Sequence, residues 1–454
     1  MTRNILEIPE NGIPHERLLS IINTEIAKDD IDPYSGKAFG LCYLESKEHS
    51  EFVKKVYSSF MTANALNPMA YPSLVEMESE VVAMTAWMLN GDRKTTGTLT
   101  SGGTESILMA VKTHRDWAKD TKGINAPEMI VPDTAHPAFH KAAHYFDVKI
   151  VQTPIGKDYR VDLDKIKEKI NEKTILLVGS APCYPYGVID PIEKLASLAA
   201  ENDFGCHVDA CLGGYFLPWI EKLGYPISNK WDFRVPGVSS ISLDLHKYGY
   251  APKPASTVMY KSDNFRKYQF YVHTDWVGGV YASPSAAGSR PGGAIAAAWA
   301  AMKVLGQDGY KQACKDVMEI AQKFIQGINS IGGLHVIGEP EMAIYAYTFD
   351  EDINLDFFKL IDLVENKGGW MINRMQNPAA AHHMTSRVHM SVVDDFLKDL
   401  NWAIKQIKVI DKSEKVEGQA AMYGMMQTFK DRKKLNETVR DILLKQYTYS
   451  PKKD

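Results

Sequence analysis

The chain has 454 residues, of which 45% are hydrophobic and 24% are charged, a composition typical of a soluble globular protein with roughly two or three structural units. Its 52 basic and 56 acidic residues give a formal charge of −4, which argues against general electrostatic binding of nucleic acid but allows a local basic pocket. The five cysteines are odd in number and scattered, which favours reduced thiols in a cytoplasmic protein. The longest apolar stretch, residues 294–302, is well short of the roughly 20 residues that cross a bilayer, so we expect no transmembrane segment.

The first part of the chain is predicted to be an arm followed by two helices. Residues 1–57 mix charged and turn-forming side chains, so we expect an N-terminal arm that docks on a larger body. Helical periodicity runs from Glu51 through Phe60, breaks at Asn64-Ala-Leu-Asn-Pro68, and resumes over residues 74–89.

A glycine turn at Thr98-Leu-Thr-Ser-Gly-Gly-Thr-Glu-Ser106 leads directly into an apolar helical pattern. The free amides and the dipole at such a helix start favour binding of a phosphate. The alternative is a simple capped helix, with Ser101 or Thr104 as the cap and Glu105 in the first turn. The motif alone fits both interpretations.

After the glycine turn, apolar strands alternate with amphipathic helices. This order predicts an α/β fold with a mostly parallel sheet covered on both faces, whose ligands gather at the carboxyl ends of the strands. From about Gly306 the pattern changes to short strands between helices at 310–330 and 355–365, with a last helix near 435–447. We therefore expect a large domain at 58–306 and a smaller C-terminal α+β domain at 307–454. In the large domain, strands are predicted at 129–132, 149–153, 174–179, 205–209 and 240–243, and helices at 138–145, 163–170 and 192–201.

Lys247 lies in a polar and aromatic segment, Ser242–Lys253, between two predicted strands. A lysine on such a short connection is costly to bury unless its charge is paired or removed. Bonding of its amine to an aldehyde removes the charge. The alternative is an ordinary solvated lysine in a hairpin, which is the commoner case and is favoured when Lys247 is taken alone.

Four features fall in an order that matches the needs of pyridoxal 5'-phosphate. Gly102-Gly-Thr104 offers amides to its phosphate, His136 offers an aromatic face, Asp209 offers a carboxylate to the pyridinium nitrogen, and Lys247 offers an amine to the aldehyde. Each feature alone has a plainer explanation, such as a core histidine or a strand-end cap. A metal site at Cys206, His207, Asp209 and Cys211 is less favoured than packing thiols, because their spacing alternates between the faces of a strand. We therefore predict no metal.

Motifs spread over nearly the whole chain form a family pattern. They are Thr100-Ser-Gly-Gly-Thr-Glu-Ser-Ile107, Ala135-His-Pro-Ala-Phe139, His207-Val-Asp-Ala-Cys-Leu-Gly-Gly214, Asp244-Leu-His-Lys-Tyr-Gly-Tyr-Ala-Pro-Lys253, Tyr281-Ala-Ser-Pro-Ser-Ala-Ala-Gly-Ser-Arg-Pro-Gly-Gly293 and Tyr423-Gly-Met-Met-Gln427. Together they resemble the sphingosine-1-phosphate lyases, which are fold-type-I pyridoxal phosphate enzymes related to the group II decarboxylases. The runs that end at Lys253 and Gly293 are the most particular to the lyases. The resemblance implies a large domain with a mostly parallel sheet and a smaller C-terminal domain.

The resemblance also implies roles for individual residues. Lys247 would bond to the cofactor aldehyde, Asp209 would pair with the pyridinium nitrogen, and His136 would stack on the ring. The cofactor phosphate would be held by Gly103, Thr104 and His246, with Ser289 contributed by the partner subunit of a homodimer that shares its active sites.

The implied reaction is a retro-aldol cleavage between C2 and C3 of a phosphorylated long-chain amino alcohol, which yields phosphoethanolamine and a long-chain aldehyde. Lys253 would contact the substrate phosphate, and either Lys253 or a nearby tyrosine would be the base. Further substrate-binding positions implied by the resemblance are Tyr43, Asn64, Asn67 and Tyr184.

Two positions depart from the family pattern. Asn67 and Tyr186 stand where histidines are common, so the loss of positive charge affects phosphate recognition and the identity of the headgroup. The alternative function is an amino-acid decarboxylase on the same scaffold, which would need a site for a substrate carboxylate. A binding or scaffolding protein without chemistry is disfavoured because Lys247, Asp209 and His136 are all present.

Overall fold

The computed structural model describes residues 5–27, 30–409 and 431–449, so the Tyr423–Gln427 motif lies outside the described residues. The α-helices are α1 (His15–Ile21), α2 (Lys47–Ser59), α3 (Pro72–Met88), α4 (Gly103–Lys122), α5 (Ala138–Phe146), α6 (Leu163–Lys169), α7 (Ile192–Glu201), α8 (Leu217–Lys222), α9 (Asp263–Arg266), α10 (Gly292–Asn329), α11 (Phe357–Gly368), α12 (Val393–Ile407) and α13 (Arg432–Gln446). The strands are β1 (Thr96–Thr100), β2 (Glu128–Pro132), β3 (Lys149–Thr153), β4 (Thr174–Ser180), β5 (Gly205–Asp209), β6 (Ser240–Leu243), β7 (Ser256–Tyr260), β8 (Tyr271–His273), β9 (Tyr281–Ser283), β10 (Leu334–Val336), β11 (Ile344–Phe349), β12 (Asn373–Met375) and β13 (Ala380–Met384).

A seven-stranded sheet in the order β1-β7-β6-β5-β4-β2-β3 forms the centre of the large unit. The neighbours from β3 through β6 are parallel, whereas β7 runs antiparallel to both β6 and β1. The predicted mostly parallel α/β architecture is therefore confirmed. The predicted strands in this region all form, with boundaries that differ by at most one residue.

Strand β1 was not predicted, because Thr96-Gly-Thr-Leu-Thr100 lacks an apolar run. Its five residues pair with all five residues of β7. The strand is therefore stabilised by this pairing and not by the strand propensity of its own sequence. This strand delivers the glycine turn to the start of α4.

A four-stranded antiparallel sheet, β10-β11-β13-β12, forms the second unit. The helix predicted at 310–330 is part of the longer run α10, which is interrupted at Gly306 by a non-helical backbone with φ 57°. The proposed boundary between 306 and 307 coincides with that interruption. Part of the predicted N-terminal arm joins this unit, since Ala38 forms a parallel bridge with Met371. The domain limits themselves stay predictions.

The core lies between the central sheet and its helices. The strands β2, β4, β5, β6 and β7 are buried along their entire length, as expected for a sheet covered on both faces. Within the described ranges, no helix combines the length and the apolar character that a bilayer crossing requires.

Candidate active site

Nine of the twelve predicted site residues line one cavity of about 540 Å³. The cavity lies where the carboxyl ends of β4, β5 and β6 meet the start of α4, the edge at which parallel sheets bind ligands. The nine residues are Tyr43, Gly103, Thr104, His136, Tyr184, Asp209, His246, Lys247 and Lys253. Asn64, Asn67 and Ser289 do not line it.

Lys247 lies on the connection between β6 and β7, as predicted, and forms an ion pair with Asp244. The Nζ atom is 3.0 Å from Asp244 Oδ2, and the two side chains are 23% and 2% exposed. Burial by itself lowers the pKa of Lys247. The nearby negative charge of Asp244, with smaller effects from other groups, outweighs burial, so the pKa is raised above its usual value. The amine is therefore held as an ammonium ion inside the cavity.

Asp209 ends β5, and one of its oxygens is fixed by the neighbouring strand and turn. Its Oδ1 accepts from the Cys211 amide at 3.1 Å and from the Ser242 hydroxyl at 3.5 Å. The same hydroxyl is 3.1 Å from Nε2 of His207. His207 is thus part of the support of Asp209.

The glycine turn is closed by Glu105, whose carboxylate accepts from the Ser101 amide at 2.5 Å and from the Ala286 amide at 2.9 Å. A Cβ atom on Gly103 would lie 2.8 Å from Asp244 Oδ2, so the turn has no room for a side chain there. The first amides of α4 lack acceptors within the helix, and this leaves them available to an anion in the cavity.

His246 and His136 each have one ring nitrogen occupied. His246 Nδ1 donates to the Ala255 carbonyl at 2.6 Å, and His136 Nδ1 accepts from the Ala138 amide at 3.2 Å. Burial lowers the pKa of His246, partly offset by the charge of Asp244. Because its Nδ1 already carries a proton, His246 can donate to a phosphate from Nε2 only as an imidazolium.

Lys253 and Tyr43 form the side of the cavity next to the N-terminal segment. Lys253 Nζ donates to the Leu41 carbonyl at 2.7 Å, and the Tyr43 hydroxyl contacts Met384 Sδ at 2.9 Å. Burial raises the pKa of Tyr43, although the charge of Lys247 lowers it. The phenol therefore keeps its proton near neutral pH, which makes Tyr43 a donor instead of a base.

The three predicted residues outside the cavity lie on two segments that contact each other. Asn64 Nδ2 donates to Ser289 Oγ at 3.0 Å, and Asn64 Oδ1 accepts from the Arg290 amide at 3.0 Å. Asn67 Oδ1 accepts from the Met69 and Ala70 amides at 3.0 and 3.3 Å. In this chain Asn67 closes a turn, and its role in substrate binding remains a prediction.

Tyr186, the second departure from the family pattern, also lies outside the cavity. It is 4% exposed, and its hydroxyl donates to the Asn377 carbonyl at 3.3 Å. Burial raises its pKa to about 12. Its ring packs 4.5 Å from that of Tyr159, so the tyrosine is a packing residue here.

Several lining residues were not predicted. Asp244 is the most important, and its position three residues before Lys247 in a turn was a signal that sequence reasoning could have used. Its Oδ1 is buried and has no hydrogen-bond partner among the described residues. Asn373 and Met384 come from the second unit, where nothing in the local sequence indicates a site.

The arrangement fits pyridoxal phosphate on its own geometry. It offers an anion site at a helix start, a carboxylate at the end of β5 and an amine on the neighbouring connection, all in one cavity. The unpartnered, buried Oδ1 of Asp244 fits a cavity built to hold a polar group.

The chain is similar to known proteins in both sequence and structure. A family model described as pyridoxal-dependent decarboxylase conserved domain matches residues 43–349. The sphingosine-1-phosphate lyase of Oryza sativa subsp. japonica is 42% identical over 96% of this chain and 81% of its own length. Sphingosine-1-phosphate lyase 1 of Rattus norvegicus is 42% identical over 98% of this chain and 77% of its own.

Among solved structures, the sphingosine-1-phosphate lyase of Burkholderia pseudomallei is 38% identical, with a TM-score of 0.88 over 99% of this chain and 98% of its own. The glutamate decarboxylase of Lactobacillus brevis, at 20% identity and a TM-score of 0.77 over 92% of this chain and 97% of its own, shares the fold.

Proposed function

The chain belongs to the sphingosine-1-phosphate lyases within the pyridoxal-dependent decarboxylase family, and from this we propose that it cleaves a phosphorylated long-chain base between C2 and C3. The products would be phosphoethanolamine and a long-chain aldehyde. The observation that carries the proposal is the placement of Lys247 and Lys253 on one connection, with both side chains lining the cavity that contains Asp209.

The protein is a pyridoxal-phosphate-dependent lyase. When bound, the cofactor supplies an aldehyde to an amine and a ring that takes up the electron pair of the breaking bond. We propose that Lys247 provides the amine and that Asp209 holds the proton on the ring nitrogen. Gly103, Thr104 and protonated His246 would bind the phosphate, with His136 on the ring face.

Lys253 is the proposed contact for the substrate phosphate. Its Nζ already reaches across to the Leu41 carbonyl, and a phosphate would offer it a stronger, charged acceptor. Tyr43 would donate a hydrogen bond on the same side of the cavity. The base that takes the proton of the C3 hydroxyl would be Lys253 in its deprotonated form or a nearby tyrosine.

We also propose a cytoplasmic homodimer in which the partner subunit completes each active site. The cysteines Cys42, Cys183, Cys206, Cys211 and Cys314 are free thiols, which supports a reducing compartment. For the dimer, the support is an exposed apolar hairpin loop, where Trp276 and Val277 are 55% and 106% exposed. Ser289 and Asn64, which lie outside the cavity of their own chain, would then reach the cavity of the partner.

The decisive assay compares aldehyde release from sphingosine 1-phosphate and from unphosphorylated sphingosine. We expect release from the phosphorylated compound and much less from the other. In Lys253→Met this preference should shrink, while a matched change at the exposed Lys315 should leave it intact. Release of carbon dioxide from an amino acid, without any aldehyde, would contradict the lyase and establish the decarboxylase alternative.

A further inference from the structure

Strand β13 of the second unit carries two adjacent buried histidines, His382 and His383, each 0% exposed. Because successive side chains of a strand point to opposite faces, their surroundings differ. The ring of His383 stacks on Phe39 with centroids 3.6 Å apart, on the side away from the cavity lining. The ring of His382 faces the loop that follows β4.

His382 holds Tyr184, a residue of the cavity wall, through two separate contacts. The two rings stack with centroids 4.0 Å apart and planes inclined by 23°. In addition, His382 Nε2 lies 2.6 Å from the Tyr184 carbonyl oxygen. A carbonyl can only accept, so Nε2 carries the proton and donates. One side chain thus fixes both the ring and the backbone of Tyr184.

The tautomer of His382 is fixed by its surroundings. With the proton on Nε2, the other nitrogen is a bare acceptor, and Nδ1 is buried without a partner in the described part of the chain. Burial lowers the pKa of His382 to about 4, and the bond to Tyr184 raises it only in part. The donor toward Tyr184 is therefore present throughout the physiological pH range.

We propose that His382 is a positioning residue that sets the ring of Tyr184 on the substrate side of the cavity. The inference rests on the proposed function and extends it, because it assigns the second unit a part in substrate binding. The residues next to His382 in the sheet support this role in substrate binding. Asn373, its partner in the strand register, and Met384, two residues along β13, both line the same cavity.

Three variants separate the two contacts. His382→Phe keeps a ring and removes the donor, His382→Gln keeps a donor without the ring, and His382→Ala removes both. We expect the alanine variant to raise KM for sphingosine 1-phosphate about 3- to 10-fold, with smaller increases in the other two. The value of kcat and the affinity for pyridoxal phosphate should change less than about twofold, because Tyr184 is not among the predicted cofactor contacts.

His383→Phe is the matched control, since it alters the neighbouring buried histidine on the opposite face. It should affect the unfolding midpoint without raising KM. In a Tyr184→Ala background, His382→Ala should have no further effect on KM. Equal KM in His382→Ala and the unaltered protein, or full additivity with Tyr184→Ala, would overturn the proposal. If His382→Ala instead lowers kcat, cofactor affinity and the unfolding midpoint together, the proposal is also overturned.

A second measurement does not depend on the lyase reaction. With 3-fluorotyrosine incorporated at position 184, the fluorine resonance should be single in the unaltered protein and should shift and broaden in His382→Ala, but not in His383→Phe. If the resonances behave as expected but the unaltered protein does not cleave sphingosine 1-phosphate, only the proposed function is refuted. A resonance insensitive to His382→Ala would refute the positioning role alone.

Discussion

The ion pair between Lys247 and Asp244 makes a prediction about the stability of the cofactor-free protein. Lys247→Met would leave the carboxylate of Asp244 without its cation at a site where it is 2% exposed. Removing one partner of a fully buried pair costs about 3–5 kcal/mol. Because Lys247 is itself 23% exposed, solvent screens part of the interaction, and we expect a loss of about 2–4 kcal/mol.

The assay is urea unfolding of the cofactor-free protein at fixed protein concentration, with a double-mutant cycle. Lys247→Met and Asp244→Asn should each lower the midpoint, and the double variant should be more stable than the sum of the two losses predicts. The raised pKa of Lys247 sets the pH window. Its stabilisation is fully present below the unfolded pKa of about 10.4 and disappears only as the pH rises through the higher value of the folded state.

Lys315→Met is the control, because Lys315 and Glu319 form an ion pair that is 54% and 47% exposed. Exposed pairs contribute little to stability, so its midpoint should not move measurably. Additive losses in the cycle would refute the reasoning, since they would mean that Lys247 and Asp244 do not stabilise each other. An unfolding midpoint of Lys247→Met equal to that of Lys315→Met would also refute it.

Other substitutions test the site and its support. Asp209→Asn should reduce turnover by roughly two orders of magnitude while the absorbance of bound cofactor is largely kept, and undiminished turnover would contradict the role of Asp209. Gly103→Ala should weaken cofactor binding about tenfold or more, because the new Cβ would lie 2.8 Å from Asp244 Oδ2. The control is Gly332→Ala, which has open space around it and should bind the cofactor as the unaltered protein does. Burial raises the pKa of Asp190 to about 6. The protonated carboxyl therefore stabilises the fold fully below about pH 4, and this stabilisation is lost as the pH rises through about 6. Asp190→Asn should make the unfolding midpoint depend less on pH over this range. An unchanged pH dependence would exclude Asp190 as the titrating group.

The parallel part of the central sheet could be predicted closely because β2, β3, β4 and β5 each lie between two helices and carry apolar residues. Strands β5 and β6 begin and end at the predicted residues. By contrast, β13 has the sequence Ala380-Ala-His-His-Met384, which carries no strand-forming residues. It exists because it pairs with β11 and β12, and such non-local pairing is not visible in a sequence window.

The candidate site was predictable to a similar degree, and for a related reason. Asp209 ends β5 and Lys247 follows the adjacent strand β6, so their convergence follows from the order of the strands in a parallel sheet. The ion pair of Lys247 with Asp244 depends on how the turn folds back, which periodicity does not describe. The contributions of Asn373 and Met384 depend on the packing of the second unit against the first.

The connection between β6 and β7 explains why two lysines can serve different groups in one cavity. Strand β7 runs antiparallel to β6 and pairs with it over four residues, so residues 244–255 must reverse direction at the carboxyl edge of the sheet. Asp244 holds Lys247 at the start of this reversal, and the Leu41 carbonyl holds Lys253 near its end. The first contact is internal to the connection, whereas the second comes from the N-terminal segment. Substrate-phosphate binding should therefore respond to changes near Leu41, while attachment of the cofactor to Lys247 should not.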